Sequence, residues 1–95
     1  MSKKYKLIAP KSYERKLRKL IKKQQGLIEQ LEDSYSVLEI DPENISRKHQ
    51  IKKLSNIANE EGQWRIRLGD YRIRYDILED KVITYSINHR KDIYK

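Results

Sequence analysis

The chain has 95 residues, with 22 lysines and arginines against 14 aspartates and glutamates, so its net charge at pH 7 is +8. This length predicts one domain spanning residues 1–95. The absence of cysteine excludes disulfides, iron–sulfur clusters and thiolate zinc sites, and two histidines are too few for a histidine-rich metal site. No apolar run approaches the ~18 residues of a membrane span, and the N-terminus lacks the apolar segment of a secretory signal. We therefore expect a cytoplasmic protein.

The excess positive charge lies in both halves of the chain and is not confined to a tail. Such a distribution favours a polyanionic partner. Nucleic acid is the first candidate, an acidic protein the second and a membrane surface the third.

A short strand and a helix open the chain. Residues 5–9 (YKLIA) are predicted to form a short strand, and Pro10 ends that strand. Residues 11–23 carry apolar side chains at helical spacing, and Ser12 is the expected N-cap. The apolar stripe comprises Tyr13, Leu17, Leu20 and Ile21. The basic side chains of this helix suit either a solvated helix face or a contact with nucleic acid.

A second helix is predicted over residues 24–39, with Gly26 at its joint with the first, so the two form a helical hairpin. Its apolar positions are Leu27, Ile28, Leu31, Tyr35 and Leu38. Residues 39–62 are expected to be a connection with one ordered middle piece, because Asp41–Asn44 is a turn signal.

The last third of the chain has the period of β-strands. Residues 64–68 and 71–77 alternate strictly on either side of Gly69-Asp70, which is a strong hairpin signal. A three-residue turn at 79–81 leads to a third strand over residues 82–88. The predicted fold is therefore α+β: an N-terminal strand, a helical hairpin packed on one face of the sheet, and a three-stranded antiparallel meander.

The two-residue turn sets the register of this hairpin. It pairs Arg67 with Arg72 and Arg65 with Arg74, all four on the face away from the helices. The side chains expected to face the core are Trp64, Ile66, Leu68, Tyr71, Ile73, Tyr75 and Ile77. On the third strand, Ile83, Tyr85 and Ile87 are expected to lie opposite Ile77, Tyr75 and Ile73, respectively. Thr84, Ser86, Asn88 and Arg90 would join the arginines.

Two like-charge pairs on one face are unfavourable by roughly 0.2–1 kcal/mol each. One interpretation is a solvated face whose arginine stems cover the sheet. The other is a polyanion-binding face, because the guanidinium fork matches phosphate geometry. The near absence of acidic residues among the arginines favours the second.

Three stretches together resemble the RelE/ParE superfamily of bacterial toxins. Residues 64–75 read WRIRLGDYRIRY, residues 87–94 read INHRKDIY, and Lys52-Lys53-Leu54 precedes them. The resemblance spans nearly the whole chain and implies a small α/β toxin held inactive by an antitoxin. The RelE-like branch cleaves mRNA in the ribosomal A site, and the ParE-like branch inhibits DNA gyrase without cleaving RNA.

The RelE-like branch implies a catalytic set, in which the RNA 2′-OH attacks the adjacent phosphate. Arg72 matches the family's phosphate-stabilising arginine, Arg90 the arginine near the leaving group, and Tyr94 the tyrosine that positions the base. Arg65 and Arg67 stand where some relatives carry lysine. The full catalytic prediction is Arg67, Arg72, His89, Arg90 and Tyr94, and the RNA-binding prediction is Arg65, Arg74, Lys52 and Lys53.

The general base of this set is open, because arginine stays protonated and is a poor base. His89 is the expected substitute, since an imidazole titrates near pH ~6.5. Strand alternation directs His89 toward the core, so a bulge or the strand end would have to redirect it. The alternative is a hydrogen-bonded histidine at a strand end, just as Tyr94 could simply pack on the sheet edge.

The resemblance implies an antitoxin, the ribosome and mRNA as partners, with no membrane and no small-molecule cofactor. No metal ion is expected, because arginines can supply the charge that Mg²⁺ would. The sequence thus predicts a ribosome-dependent mRNA endonuclease. A gyrase-inhibiting toxin and an inactive RNA-binding relative remain as alternatives.

Overall fold

A computed structural model describes residues 4–58 and 61–93, without the side chains of residues 92 and 93. Its elements are β1 (Lys6–Ile8), α1 (Lys11–Lys23), α2 (Leu27–Ile40), β2 (Ile51–Lys53), β3 (Trp64–Leu68), β4 (Tyr71–Leu78), β5 (Lys81–His89) and α3 (Arg90–Ile93). The strands form one sheet in the order β1-β5-β4-β3-β2, in which β1 is parallel to β5 and all other pairs are antiparallel. The predicted α+β class is confirmed, with five strands where four were expected.

The two long helices begin beside residues that restrict or loosen the backbone. Pro10, with φ −60°, is the N-cap of α1, and the helix begins at Lys11 without a side-chain cap. The prediction of Ser12 as the N-cap is therefore wrong, because Ser12 lies within the first turn. Gly26 directly precedes α2, as predicted for the joint of the hairpin.

The core lies between the helices and one face of the sheet. Tyr13 of α1 reaches into it, and its hydroxyl hydrogen-bonds the Tyr35 hydroxyl of α2 at 2.9 Å, joining the two helices. Tyr75 is fully buried and its hydroxyl donates to the Pro42 carbonyl at 2.7 Å. The buried apolar side chains are Tyr13, Leu27, Leu31, Leu38, Ile66, Leu68, Ile73, Tyr75, Val82 and Ile87.

The β3–β4 register agrees with the prediction at every position. Leu68 pairs with Tyr71, Arg67 with Arg72, Ile66 with Ile73, Arg65 with Arg74 and Trp64 with Tyr75. A two-residue turn at a Gly-Asp step fixes this register because the side chains alternate with period two.

The β4–β5 register departs from the prediction at a β-bulge. Tyr85 is the extra residue, since Arg74 pairs with Ser86 and Tyr75 with Thr84. The turn is also one residue shorter than predicted, because Leu78 pairs with Lys81 around Glu79 and Asp80.

Because of the bulge, the side chains of β5 that precede it point to the opposite face of the sheet from the one predicted. Val82 and Thr84 are buried at 0% and 2% exposure, while Ile83 lies opposite Asp76 on the outer face. The prediction that Ile83 and Tyr85 face the core, with Thr84 outside, is therefore wrong. Ile87 pairs with Ile73, as predicted.

The connection from α2 to β2 is organised around Asp41. Its carboxylate accepts hydrogen bonds from the backbone N–H groups of Ile45 and Ser46 and from the Ser46 hydroxyl, and it lies 3.7 Å from Nε2 of His49. Partial desolvation raises the pKa of Asp41, but these hydrogen bonds outweigh it and leave the pKa below its ordinary value. The connection leads directly into β2, which pairs with β3 at the edge of the sheet. Within the described ranges, no helix has the length and apolar character needed to cross a bilayer.

Candidate nucleic-acid interface

Two rows of polar side chains cross the face of the sheet that points away from α1 and α2, which we call the outer face. The first row runs through Lys52, Arg65, Arg74 and Ser86 on β2, β3, β4 and β5. The second runs through Arg67, Arg72 and Asn88 on β3, β4 and β5. The rows are two residues apart along each strand, or about 7 Å. The outer face therefore carries five cations from three strands.

The second row lies at the end of the sheet formed by the β3–β4 turn. Arg67 is exposed and its Nε donates to the Gly69 carbonyl at 3.3 Å. Arg72 is half-buried beside it, as is Arg65 in the first row. Because side chains of cross-strand partners lie about 4.5–5.5 Å apart at Cβ, Arg67 and Arg72 form a close pair of like charges. An anion between them would relieve their repulsion.

Arg74 differs from the other arginines because its guanidinium is engaged by the backbone. Its Nε and Nη2 donate to the Gly62 carbonyl at 3.1 Å and 3.0 Å. Gly62 has φ +82°, and a Cβ built on it would lie 2.8 Å from Cβ of Arg74. The arginine thus packs against the glycine and holds the segment that leads into β3. This contact gives the predicted RNA-binding residue a structural role.

Arg90 lies at the same end of the sheet as Arg67 and Arg72. Its backbone N–H donates to the Asp70 carbonyl at 2.8 Å, and its Nε lies 3.7 Å from Oδ1 of Asp70. Asp70 is in the β3–β4 turn, so the turn holds the first residue of α3 next to the second row. Both side chains are more than half exposed, so the ion pair contributes little to stability.

His89 lies on the helix side of the sheet and not on the outer face. It pairs with Tyr71 across β4 and β5, and the two rings meet edge to face with centroids 5.2 Å apart. Its Nδ1 accepts a hydrogen bond from the Lys91 backbone N–H at 3.2 Å. The β5 bulge at Tyr85 lies in the middle of the strand and does not redirect His89. The structure therefore does not bring His89 together with the outer-face arginines.

The two lysines of β2 point in opposite directions. Lys52 pairs with Arg65 on the outer face, whereas Lys53 pairs with Trp64 and its Nζ lies 5.5 Å from the centroid of that indole ring. Trp64 packs against the core, as predicted. The predicted RNA-binding pair is thus divided between the two sides of β2. Tyr94 lies outside the described residues.

A further contact extends the outer face beyond the sheet. Lys16 of α1 donates from Nζ to Oδ1 of Asn88, the last residue of the second row. The two residues are 72 positions apart. From the sequence alone, Lys16 is only one of several basic residues in the first predicted helix. The lysines at residues 16, 19 and 23 share one face of the helix, but this spacing does not predict which strand residue they contact.

This arrangement can bind and polarise a phosphodiester. Arg67 and Arg72 place two guanidinium groups in adjacent strands, with Arg67 exposed and Nε and Nη1 of Arg72 buried. Charge-assisted hydrogen bonds from such groups are strong. Metal binding has no comparable support, since the described residues hold no cluster of three or more potential ligands among histidine, aspartate and glutamate.

Comparison with known proteins shows that the chain is similar to a described family and to a solved structure. The family described as the ParE toxin of the type II toxin–antitoxin system parDE matches residues 7–94. The chain belongs to this family, within the RelE/ParE superfamily of toxins. A chain of the solved RelB–RelE antitoxin–toxin complex from Methanococcus jannaschii shares 28% identity with it at a TM-score of 0.56, and the match covers 92% of this toxin and 94% of that chain. No curated protein sequence matches the toxin.

The family match confirms the predicted superfamily and identifies the protein as a toxin of a type II toxin–antitoxin system. The two matches carry the names of both branches, ParE and RelE. A shared fold does not decide between their activities, so the activity of this toxin has to be argued from the outer face.

Proposed function

We propose that this toxin is a ribosome-dependent mRNA endonuclease of the RelE-like kind. The observation that carries the proposal is the close pairing of Arg67 with Arg72 on the outer face, one row from the pair Arg65 and Arg74. Like charges placed opposite each other are unfavourable in the free protein. They become favourable when a phosphodiester lies between them, so the arrangement suits a phosphate substrate.

In the proposed reaction, the 2′-oxygen of the RNA forms a bond to the adjacent phosphorus and the bond from phosphorus to the 5′-oxygen breaks. The 2′-hydroxyl loses its proton to solvent water, and the departing 5′-oxygen gains a proton from solvent water. The products are a 2′,3′-cyclic phosphate and a 5′-hydroxyl. Arg67 and Arg72 stabilise the charge that develops on the phosphorane oxygens, which is the largest contribution available without a metal ion. Arg90, held by Asp70 at the same end of the sheet, lies near the leaving oxygen.

Arg65 and Lys52 bind the phosphate of a neighbouring nucleotide, since their row is about 7 Å from the second row along the strands. Tyr94 follows α3 directly in the sequence and positions the base, as the resemblance implies. The partners are the ribosome and its mRNA in the cytoplasm. A cognate antitoxin holds the toxin inactive, by analogy with the RelB–RelE complex whose chain it resembles.

The test is cleavage of mRNA on purified programmed ribosomes by wild type and by Arg72→Ala. Wild type should yield a defined break in the A-site codon with a cyclic phosphate end, and Arg72→Ala should cleave about 100-fold more slowly. Arg47→Asn is the matched control, because Arg47 is exposed, belongs to neither row of the outer face, and has φ +61°, which asparagine tolerates. Intact mRNA with wild type contradicts the proposal.

Gyrase inhibition is the second candidate. It is favoured by the description of the matching family as ParE and by the positions of both histidines. His89 lies on the helix side, and His49 lies in the connection after α2 with its Nε2 3.7 Å from the Asp41 carboxylate, so neither stands in the two rows of the outer face. The same preparations should be assayed for inhibition of supercoiling by DNA gyrase. Inhibited gyrase together with intact mRNA would support this candidate, and a harmless wild type would exclude both.

A further inference from the structure

The edge of β5 is covered by a strand at one end and by a helix at the other. β1 pairs with β5 only as far as Ile83, and the chain then passes through Pro10 into α1. α1 follows β1 after Pro10 and packs against β5. A side chain of α1 can therefore reach around this edge to the outer face, and Lys16 does so by donating to Asn88.

The hydrogen bond holds a positive charge without neutralising it. The acceptor is the amide oxygen of Asn88, which is uncharged, and an ammonium group has three donors, of which the amide takes one. Fixing a lysine side chain costs rotamer entropy of about the size that an exposed hydrogen bond returns. The contact therefore adds little to stability, and its main effect is to fix where the ammonium group lies.

That position is next to the candidate site. Asn88 is the cross-strand partner of Arg72, and Arg72 is the partner of Arg67. Lys16 thus extends the second row from two guanidinium groups to a third cation contributed by a helix. A lysine supplies a compact point charge that differs from the planar fork of arginine, so it can bind an oxygen that the two forks leave uncovered.

We propose that Lys16 binds a non-bridging oxygen of the scissile phosphodiester together with Arg67 and Arg72, and that Asn88 is the residue that positions it. The inference rests on the proposed endonuclease and adds a residue from α1 to its site. Lys16 acts most strongly in the transition state, where the negative charge on the phosphorane oxygens is greatest.

The test is single-turnover cleavage on programmed ribosomes over a range of toxin concentrations. Lys16→Gln should lower the rate at saturating toxin by about 10-fold to 100-fold, and its half-saturating concentration should change less than threefold. Lys16→Arg should keep most of the rate because it keeps the charge. Lys22→Gln is the matched control, since Lys22 is also exposed on α1 but points about 120° away from Lys16 around the helix.

Asn88→Ala separates positioning from binding. It should slow saturated cleavage in the wild-type background but cause no further loss in Lys16→Gln, because the two residues act as one unit. Its thermal midpoint, like that of Lys16→Gln, should remain near the wild-type value. Additive losses in the double variant overturn the role assigned to Asn88.

The outcomes also distinguish this inference from the proposed function. If wild type cleaves and Lys16→Gln cleaves equally fast, the role of Lys16 is wrong and the endonuclease stands. If Lys16→Gln only raises the half-saturating concentration, Lys16 is a ribosome contact and the inference is overturned. If wild type leaves the mRNA intact, the endonuclease and the inference fall together.

Discussion

The guanidinium of Arg74 donates two hydrogen bonds to the carbonyl oxygen of Gly62, from Nε at 3.1 Å and from Nη2 at 3.0 Å. This contact separates two kinds of arginine on one sheet face. Arg74 uses its fork to hold the backbone before β3, whereas Arg67 stays exposed at the turn end of the sheet. The alternating arginines are therefore not equivalent, and their substitutions should have different effects.

Arg74→Ala should lower the free energy of unfolding by about 1–3 kcal/mol, because it removes charge-assisted hydrogen bonds to a part-buried carbonyl. Arg74→Lys should recover little of this, since a lysine cannot make the two-donor contact. Arg67→Ala is the control and should be neutral or slightly stabilising, because it relieves the repulsion with Arg72. Urea denaturation of the three variants measures the difference. Equal losses for Arg74→Ala and Arg67→Ala would contradict this division.

Gly26 and Gly62 should respond in opposite ways to the same substitution. Gly26 has φ −64°, and a Cβ built there meets no atom within 4 Å. Gly26→Ala should therefore stabilise the toxin by about 0.4–1 kcal/mol by restricting the unfolded chain. Gly62→Ala should destabilise it by more than about 1 kcal/mol, because the residue needs φ +82° and its Cβ would clash with Arg74. Thermal unfolding of the pair tests both signs, and stabilisation by Gly62→Ala would contradict the clash.

Two buried tyrosines should make the fold sensitive to alkaline pH. Burial raises the pKa of Tyr75 and of Tyr13 above the ordinary value of 10, so both are protonated in the folded state where the unfolded chain would ionise. Their contribution to stability is complete below pH 10 and is lost as the pH rises above it. Each tyrosine should lower the free energy of unfolding by at most about 1.4 kcal/mol for each pH unit above 10.

Tyr75→Phe tests this dependence. At pH 8 it should cost about 1–3 kcal/mol, because the buried Pro42 carbonyl loses the hydroxyl that donates to it. Between pH 10 and pH 11.5 the unfolding free energy of this variant should fall less steeply than that of wild type. The two slopes should differ by up to about 1.4 kcal/mol per pH unit, which corresponds to one bound proton. Urea midpoints across this range give the comparison, and parallel curves would rule out Tyr75 as a source of the alkaline sensitivity.

The parts of the fold that local patterns control were predictable, and the parts that depend on distant contacts were not. The β3–β4 register follows from a two-residue turn and strict alternation, and it is confirmed from Trp64 to Tyr75. The β4–β5 register required knowledge of the Tyr85 bulge, which leaves no mark on the alternation of β5. The contact of Lys16 with Asn88 spans 72 positions and depends on where α1 lies beside β5.

The positions of the four strand arginines were predictable for the same reason, but their roles were not. Period two places them on one face, whereas the contact of Arg74 with Gly62 depends on how residues before β3 fold back. For His89 the alternation was the better guide. It directs the ring to the helix side, and the ring contact with Tyr71 lies there.

The position of His89 leads to a prediction about the pH dependence of cleavage. His89 contacts Tyr71 on the helix side, and its Nδ1 accepts from the Lys91 N–H at the start of α3. His89→Ala should therefore lower the free energy of unfolding by about 1 kcal/mol, through loss of the ring contact and of that hydrogen bond. It should leave the pH profile of saturated cleavage on ribosomes unchanged in shape.

The control for this prediction is Tyr71→Leu, which removes the partner ring but leaves the imidazole in place. Because the two residues form one contact, the stability losses of His89→Ala and Tyr71→Leu should be less than additive in the double variant. If His89→Ala instead abolishes an inflection in the pH profile of wild-type cleavage, then His89 does act as the base. The end of β5 would in that case have to turn toward the outer face when the ribosome is bound, because only there could the imidazole reach an RNA held by Arg67 and Arg72.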